Sequence, residues 1–239
     1  MLFRSEGSHC HSDVNSGAVT LTDAQWQQLK DRYDGELHRN DAWLGALLTA
    51  VDARQATSPT AVFFTSDHGE AFNEHPDERT WHRIPYQTIL RVPLIAAIPG
   101  VAPRRVKTAV RTIDLYPTIA SLAGATLPPI DGASLLDLAS RDGPDRIISS
   151  HSHFAGAPVA YIEGGWKLMF SRTGPPWTRL YDLNTDPQER TDLSASRPDM
   201  LAKLKTQREA FLKSTSRGLT AQGKGDETKE ALRALGYTD

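Results

Sequence analysis

Apolar residues recur every three or four positions along a long segment near the start of the chain. Thr22 and Gln25 stand just ahead of this segment at the spacing of a capping box, in which each side chain bonds the other residue's backbone. The pattern predicts one amphipathic helix of about eight turns that begins at Thr22. The apolar positions of this stripe are Trp26, Leu29, Tyr33, Leu37, Leu44, Leu48 and Val51.

Two short apolar runs follow the helix, at residues 61–65 and 91–98. The first is rich in β-branched and aromatic residues and predicts a strand buried on both faces, as in a parallel sheet. The second contains Pro93, which cannot donate to a strand ladder, so an edge position or a bulge is expected there. A long helix followed by a buried strand indicates an α/β fold.

The pattern changes again beyond residue 110. Residues 112–123 have a helical period, and Pro117 predicts a break or a helix start near that position. After about residue 145, short strand candidates alternate with Gly, Pro and Asn turns, which predicts an antiparallel meander. The strand candidates are residues 147–150, 159–162, 166–171 and 179–183, followed by a helix around 201–212.

These patterns predict four parts of the chain. The expected parts are a loop or disordered N-terminus at 1–20, an α/β domain portion at 21–145, a small antiparallel subdomain with a helix at 146–216, and a linker with a terminal helix at 217–239.

Composition narrows the class of protein. The chain has 239 residues, of which 39% are hydrophobic and 23% charged, the proportions of a globular protein. Its net charge of -2 argues against nucleic-acid binding driven by bulk charge. The sequence contains no apolar run long enough to span a membrane and no signal-peptide core at its start. Cys10 is the only cysteine, so a disulfide within the chain is excluded.

The strongest chemical signal is the segment 66–70, Ser-Asp-His-Gly-Glu, directly after the first predicted strand. In open α/β sheets, ligands bind beyond the carboxyl ends of strands. Asp67 supplies a hard oxygen and His68 a nitrogen, and both are common ligands of divalent metals. Gly69 would allow a tight turn that lets both side chains reach one centre. A simple Asp-His-Gly turn, with Asp67 capping the next segment, explains the same residues.

Further histidines fall within or beyond the same stretch. His75 and His82 follow Asp67 within fifteen residues and predict either an anion or metal site or two exposed loop residues. His151 and His153 are two apart on a strand candidate and so face the same side. No third ligand is evident for that pair.

An ordered series of motifs resembles the sulfatase family. The segments 33–37 and 66–70 are similar to that family's helix and second metal-binding motif, and the segment 91–95 to its next strand. The resemblance continues to the end of the chain and covers about residues 21–239 in the same order. The later segments are 114–119, 123–124, 131–132, 181–183, 186–189 and 232–237.

The resemblance implies a fold of the alkaline phosphatase superfamily, a large sheet flanked by helices with a small antiparallel C-terminal subdomain. It implies hydrolysis of small-molecule sulfate esters through a divalent metal, usually Ca²⁺, with Mn²⁺ or Zn²⁺ as alternatives. Asp67 and His68 would then be metal ligands. His82 would lie near the position where a Lys or His contacts the sulfate.

One departure from the family pattern is large. Sulfatases use a Cys or Ser in a Cys-x-Pro-x-Arg motif as nucleophile, and Cys10 is followed by His-Ser-Asp-Val instead. The family's first pair of metal-binding Asp residues also has no counterpart. We therefore expect a truncated sulfatase, a C-terminal portion with impaired or no activity alone. Relatives are often exported, but the sequence does not fix a location.

Two alternatives stay open. The Asp-His pair also occurs in superfamily members that hydrolyse phosphonate monoesters or phosphodiesters. A non-catalytic binding or assembly module is the other alternative, with association through an unpaired sheet edge.

Overall fold

The computed structural model describes residues 9–139, 146–150, 158–171 and 176–215. These residues form six α-helices and eight strands. In chain order the elements are α1 His9–Ser16, α2 Asp23–Asp52, β1 Val62–Thr65, β2 Ala71–His75, β3 Glu78–Trp81, α3 Gln87–Leu90, β4 Leu94–Ala97, a 3₁₀ turn Thr112–Asp114, α4 Leu115–Leu122, α5 Leu135–Ala139, β5 Ile148–Ser150, β6 Val159–Glu163, β7 Trp166–Phe170, β8 Thr178–Asp182 and α6 Pro198–Thr215.

The long helix α2 begins as predicted, but its apolar stripe is not covered. Thr22 caps it, and the reciprocal bonds between Thr22 and Gln25 complete the capping box. Trp26 is buried, whereas Tyr33 and Leu37 are exposed. The hydrophobic period therefore predicts the helix correctly, but it does not predict which residues pack against the helix.

The expected loop at residues 1–20 is wrong for its second half. Residues 9–16 form α1, and Asn15 ties this helix to β3. The Asn15 side chain accepts from the backbone N–H groups of Arg79 and Thr80 and donates to the Thr80 carbonyl oxygen at 2.9 Å. A tertiary contact with a strand edge thus stabilises a segment whose own sequence has no helical period.

Strand β1 differs from the expectation of a strand buried in a parallel sheet. It pairs antiparallel with β4, with Val62 opposite Ala97 and Thr65 opposite Leu94. Its Phe64 is 42% exposed, and Ile95 of β4 is 63% exposed. An apolar run indicates that a strand can be buried, but it does not specify the direction of its partner. Pro93 lies just before β4, which removes it from the ladder.

Between β4 and the C-terminal sheet, Asp114 organises the chain. Its buried carboxylate accepts two hydrogen bonds from Arg146 and one from each of the backbone N–H groups of Arg111 and Ala133. These bonds satisfy an ionised group that would otherwise be costly to bury, and they hold α4 against the segment leading to β5. Pro117 falls in the first turn of α4, where its missing N–H costs no hydrogen bond.

The meander predicted for the C-terminal part is confirmed. Strands β5, β6, β7 and β8 pair antiparallel in sequence order. One face of this sheet packs with α6 around the buried side chains of Tyr161, Leu168, Leu180 and Leu204. The other face contributes Ala160, Met169 and Tyr181 to a second cluster that includes Tyr86. Both faces are therefore covered.

The second cluster joins the sheet to the segment around α3. Glu189, which follows β8, accepts a hydrogen bond from the Gln87 backbone N–H at 2.5 Å. Its other carboxylate oxygen lies 2.5 Å from the ammonium nitrogen of Lys167, and both side chains are buried. Burial lowers the pKa of Lys167, and the charge of Glu189 opposes that shift.

Among the described residues, no helix is both long and apolar enough to cross a membrane. Several predictions lie outside the described residues: the linker with a terminal helix at 217–239, and the pair His151 and His153.

Candidate active site

The loop after β1 is fixed by its contact with α3. The Gly69 N–H donates to the Ile89 carbonyl oxygen at 2.8 Å. A Cβ atom at Gly69 would overlap the carbonyl oxygen of Thr88. Gly69 does not adopt a positive φ. Its requirement is close backbone approach, not the tight turn expected from the sequence.

Asp67 and His68 lie side by side at the end of β1. The Asp67 Oδ1 atom accepts from the His68 backbone N–H at 3.0 Å. The His68 ring Nδ1 lies 2.8 Å from the Gly69 carbonyl oxygen. A carbonyl oxygen can only accept, so Nδ1 is assigned the proton, and in the neutral ring Nε2 keeps its lone pair. That Nε2 atom lies 3.7 Å from Asp67 Oδ2.

The electrostatics of Asp67 favour its charged form. Burial opposes ionisation, but the His68 backbone N–H, the His68 ring and the Ser66 hydroxyl together hold the pKa of Asp67 below its ordinary value. The carboxylate is 64% exposed and the His68 ring 37% exposed. Both groups are therefore accessible from solvent.

The chemistry of this pair fits part of a metal site. A carboxylate oxygen and an imidazole lone pair 3.7 Å apart are two acceptors, and a cation between them would satisfy both. Hard cations such as Ca²⁺ take six to eight oxygen ligands, so two donors are an incomplete set. Within the described ranges no group of three or more His, Cys, Asp or Glu side chains is arranged to hold a metal ion.

His82 adjoins the same pair. Its ring stacks on that of His68, with centroids 3.8 Å apart and planes inclined by 22°. The structure thus brings together the three residues to which the family resemblance gives a role in the site: Asp67, His68 and His82. Their roles as metal ligands and substrate contact stay predictions.

The loop that carries His82 is fastened by Glu78, which sequence reasoning missed. The Glu78 carboxylate is buried and accepts from the Arg83 backbone N–H at 2.5 Å. Burial raises the pKa of Glu78 to about 7, although the N–H groups of Arg83 and Ile84 act in the opposite direction. A charged residue in a polar stretch predicts exposure, so no sequence signal marked it.

His75 lies against a different partner. Its buried ring stacks on Tyr86, with centroids 3.5 Å apart. Burial lowers the pKa of His75 and favours the neutral ring. The Tyr86 hydroxyl donates to Asp77 at 3.0 Å and also accepts from Arg179 of β8, which pairs with Asp77 at 2.6 Å. His75 therefore is not the exposed loop residue that was one of the two alternatives expected for it.

The chain is similar to proteins of one known family. A family model described as Sulfatase matches residues 5–125, about half of the chain. Arylsulfatase K of Mus musculus is 31% identical over 196 residues, which are 75% of this chain and 35% of the relative. Choline-sulfatase of Rhizobium meliloti (strain 1021) is 30% identical over 182 residues, 73% of this chain and 35% of the relative. The chain thus spans about a third of the length of these relatives.

Solved structures agree on the fold. BT4656, solved in complex with its substrate D-glucosamine-2-N,6-O-disulfate, matches with a TM-score of 0.70 and 19% identity, over 89% of this chain and 46% of that one. The phosphonate monoester hydrolase of Agrobacterium radiobacter matches with a TM-score of 0.57 and 23% identity, over 72% of this chain and 38% of that one. The mixed helix-and-strand fold expected from the sequence is confirmed as part of an alkaline-phosphatase-like fold. The chain belongs to the sulfatase family.

Proposed function

We propose that this chain supplies part of the catalytic centre of a metal-dependent sulfatase that hydrolyses small-molecule sulfate esters. The observation that supports this most directly is the grouping of Asp67, His68 and His82 at the end of β1. Family membership supports the reaction class, and a solved neighbour has a sulfated sugar as its substrate.

In this proposal Asp67 and His68 are two ligands of a divalent cation, Ca²⁺ in the first place and Mn²⁺ or Zn²⁺ as alternatives. When bound, the cation supplies Lewis-acid polarisation of the ester oxygens. The Gly69 carbonyl oxygen keeps the His68 proton on Nδ1 and so keeps Nε2 available. His82, stacked on His68, offers a donor to the anionic group of the substrate.

The chain lacks a recognisable nucleophile. No Cys-x-Pro-x-Arg or Ser-x-Pro-x-Arg motif occurs in the 239 residues, and Cys10 lies in α1 within a different context. Without an activated nucleophile the hydrolysis cannot be divided into two easier steps. We therefore expect this chain alone to show impaired or no turnover.

Metal binding is tested separately from turnover. Mn²⁺ titrated into the full chain should broaden the ring signals of His68 and of the stacked His82 in NMR before those of His38. The variants Asp67→Asn and His68→Ala should abolish the selective broadening of the His82 ring, and His38→Ala, on the exposed face of α2, should leave it intact. Equal broadening of His38 and His68 would contradict a site at this pair.

Turnover is tested with p-nitrophenyl sulfate and the corresponding phosphate and phosphonate esters. The chain should not exceed its His68→Ala variant on any of them. Robust metal-dependent turnover by the chain alone would overturn the argument from the missing nucleophile. A preference for the phosphonate ester would favour the second reaction class, which the fold of the phosphonate monoester hydrolase also accommodates.

A second candidate function is association with another polypeptide through the uncovered apolar faces. Phe64 and Ile95 expose apolar surface on the β1–β4 pair, and Trp43 on α2 is 69% exposed. Such surfaces are typical of interaction sites. Sedimentation velocity tests this function: a compact monomer at all concentrations would count against it.

A further inference from the structure

We propose that Glu78 is a positioning residue that holds the His82 ring against His68. The inference rests on the proposed function in one respect, the assignment of His82 to the substrate. Its structural content is independent of that assignment. It concerns how a buried carboxylate fixes the loop that joins β3 to α3.

Glu78 is hydrogen-bonded to the backbone that follows His82. Glu78 begins β3 and is 2% exposed. Its carboxylate accepts from the Arg83 N–H at 2.5 Å, and the Ile84 N–H also favours its charged form. Two consecutive N–H groups directed at one buried carboxylate fix the course of the backbone immediately after His82.

The other end of the same loop is held at Tyr86. The Tyr86 N–H donates to the Ile84 carbonyl oxygen at 2.7 Å. Tyr86 itself is buried in the cluster that includes Met169 and Tyr181. The chain from residue 83 to residue 86 is therefore held at its start by Glu78 and at its end by the C-terminal sheet.

The backbone that Glu78 binds lies next to the candidate site. His82 directly precedes the first N–H that Glu78 binds. Its ring stacks on His68, whose own orientation is set by the Gly69 carbonyl oxygen. With both rings fixed from their backbones, the stacked pair presents one arrangement to a ligand. This pre-organisation reduces the ordering that binding would otherwise require.

In its ionised form the Glu78 carboxylate suits this task better than a neutral amide. It presents two oxygens to two N–H donors and needs no donor of its own. Glutamine at this position would keep one acceptor oxygen and bring an NH₂ group towards the same donors. The charged groups nearest to the carboxylate are Arg83 and Asp77, which act on it in opposite senses.

The experiment uses histidine ring signals in the full 239-residue chain. In Glu78→Ala, the ring-proton shifts that His68 and His82 owe to stacking should move towards their values in unfolded peptides, and in Glu78→Gln they should move partway. Glu163→Ala is the matched control. It also removes a hydrogen-bonded carboxylate, the acceptor of the Tyr161 hydroxyl at 2.7 Å, but in the C-terminal sheet. Its His68 and His82 signals should match those of the unsubstituted chain.

A purely stabilising role for Glu78 predicts a different result. The unfolding midpoint would then drop while both ring signals stayed in place below that midpoint, and this outcome would overturn the proposal. If Glu78→Ala does not fold, Glu78→Gln decides alone, since it keeps the side-chain volume. Unchanged His82 signals in a folded Glu78→Gln chain would equally overturn it.

Inorganic sulfate provides the functional readout. Sulfate should shift the His82 signals of the unsubstituted chain, and its Kd should rise about tenfold in Glu78→Ala, which corresponds to about 1.4 kcal/mol. If sulfate leaves His82 unaffected in the unsubstituted chain, the substrate role proposed for His82 fails, while the positioning role is still decided by the ring signals. If sulfate binds equally to both chains, Glu78 does not position the site.

Discussion

Large apolar side chains are mostly buried in the described residues between 146 and 215, whereas many of those in residues 9–139 are exposed. In the first, strands β6, β7 and β8 bury residues on both faces, against α6 on one side and Tyr86 on the other. In residues 9–139, helices and strands leave large apolar side chains exposed to solvent, among them Trp43, Ile95 and Tyr116.

The difference shows what a hydrophobic period reports. The period identifies which face of a helix or strand is apolar. It does not show whether this chain contains the residues that would pack on that face. The chain spans about a third of its curated relatives' length, and the uncovered faces lie in the region that the family model matches. The candidate site lies in this less covered region, attached to the better packed one through Glu189 and Arg179.

Breaking the buried ion pair tests the better packed region most severely. Lys167→Ala leaves the Glu189 carboxylate buried without its cation. The expected cost is about 3–5 kcal/mol of unfolding free energy, measured by urea denaturation. Arg39→Ala removes the exposed ion pair with Glu36 on α2 and should leave the urea midpoint unchanged. Equal effects of the two variants would mean that burial of the pair does not matter.

A pair of leucine truncations compares the two regions directly. Leu204 is buried between α6 and the C-terminal sheet, whereas Leu47 on α2 is 59% exposed. Leu204→Ala should cost about 3 kcal/mol, and Leu47→Ala should change the unfolding free energy by less than about 0.5 kcal/mol. A large cost at Leu47 would show that α2 is covered in solution, for example by self-association.

A pair of glycine substitutions tests the contact beneath the candidate site. Gly69→Ala forces a Cβ atom onto the Thr88 carbonyl oxygen and should cost about 1–3 kcal/mol of unfolding free energy. Gly45→Ala, in the middle of α2, meets nothing within 4 Å and should stabilise the chain by roughly 0.5–1 kcal/mol. Thermal unfolding followed by circular dichroism gives both changes. A neutral Gly69→Ala would mean that the loop has room to move away from α3.

The smallest effect is a pH dependence due to Glu78. Burial raises the pKa of Glu78 to about 7 from an ordinary value of 4.5, so between these values the folded chain binds a proton that the unfolded chain has lost. The free energy of unfolding therefore falls as the pH rises from about 4.5 to 7, by about 1–2 kcal/mol once partial solvation is allowed for.

Comparison with Glu78→Gln isolates this contribution. The lowered pKa of His75 acts in the opposite sense, because stability is lost as the pH falls below the ordinary value of histidine, but it is common to both chains. The stability of the unsubstituted chain relative to Glu78→Gln should therefore fall as the pH rises across this window. A constant difference would mean that Glu78 titrates as an exposed carboxylate.

The sequence was sufficient to predict local elements, and it singled out the residues of the candidate site. Thr22 and Gln25 predicted the start of α2. The alternation of short strand candidates with Gly, Pro and Asn turns predicted the sheet that contains β6, β7 and β8. The placement of His82 beside His68 agrees with the family resemblance. The sequence could not predict the contacts made between distant residues, such as Asn15 with Thr80 and Arg179 with Asp77. It also could not show that Glu78 is buried, because burial depends on tertiary partners and not on residue type.

Glu189 has a consequence for the order in which the chain acquires its structure. The helix α3 is four residues long and its N-cap residue Tyr86 makes no side-chain cap bond. The acceptor for its first N–H is the carboxylate of Glu189, 102 positions later in the chain. During synthesis from the N-terminus, the backbone beside the candidate site therefore stays incompletely bonded until β8 and the turn after it have left the ribosome. A residue of the C-terminal region therefore completes the backbone hydrogen bonding of α3, which is synthesised 102 positions earlier.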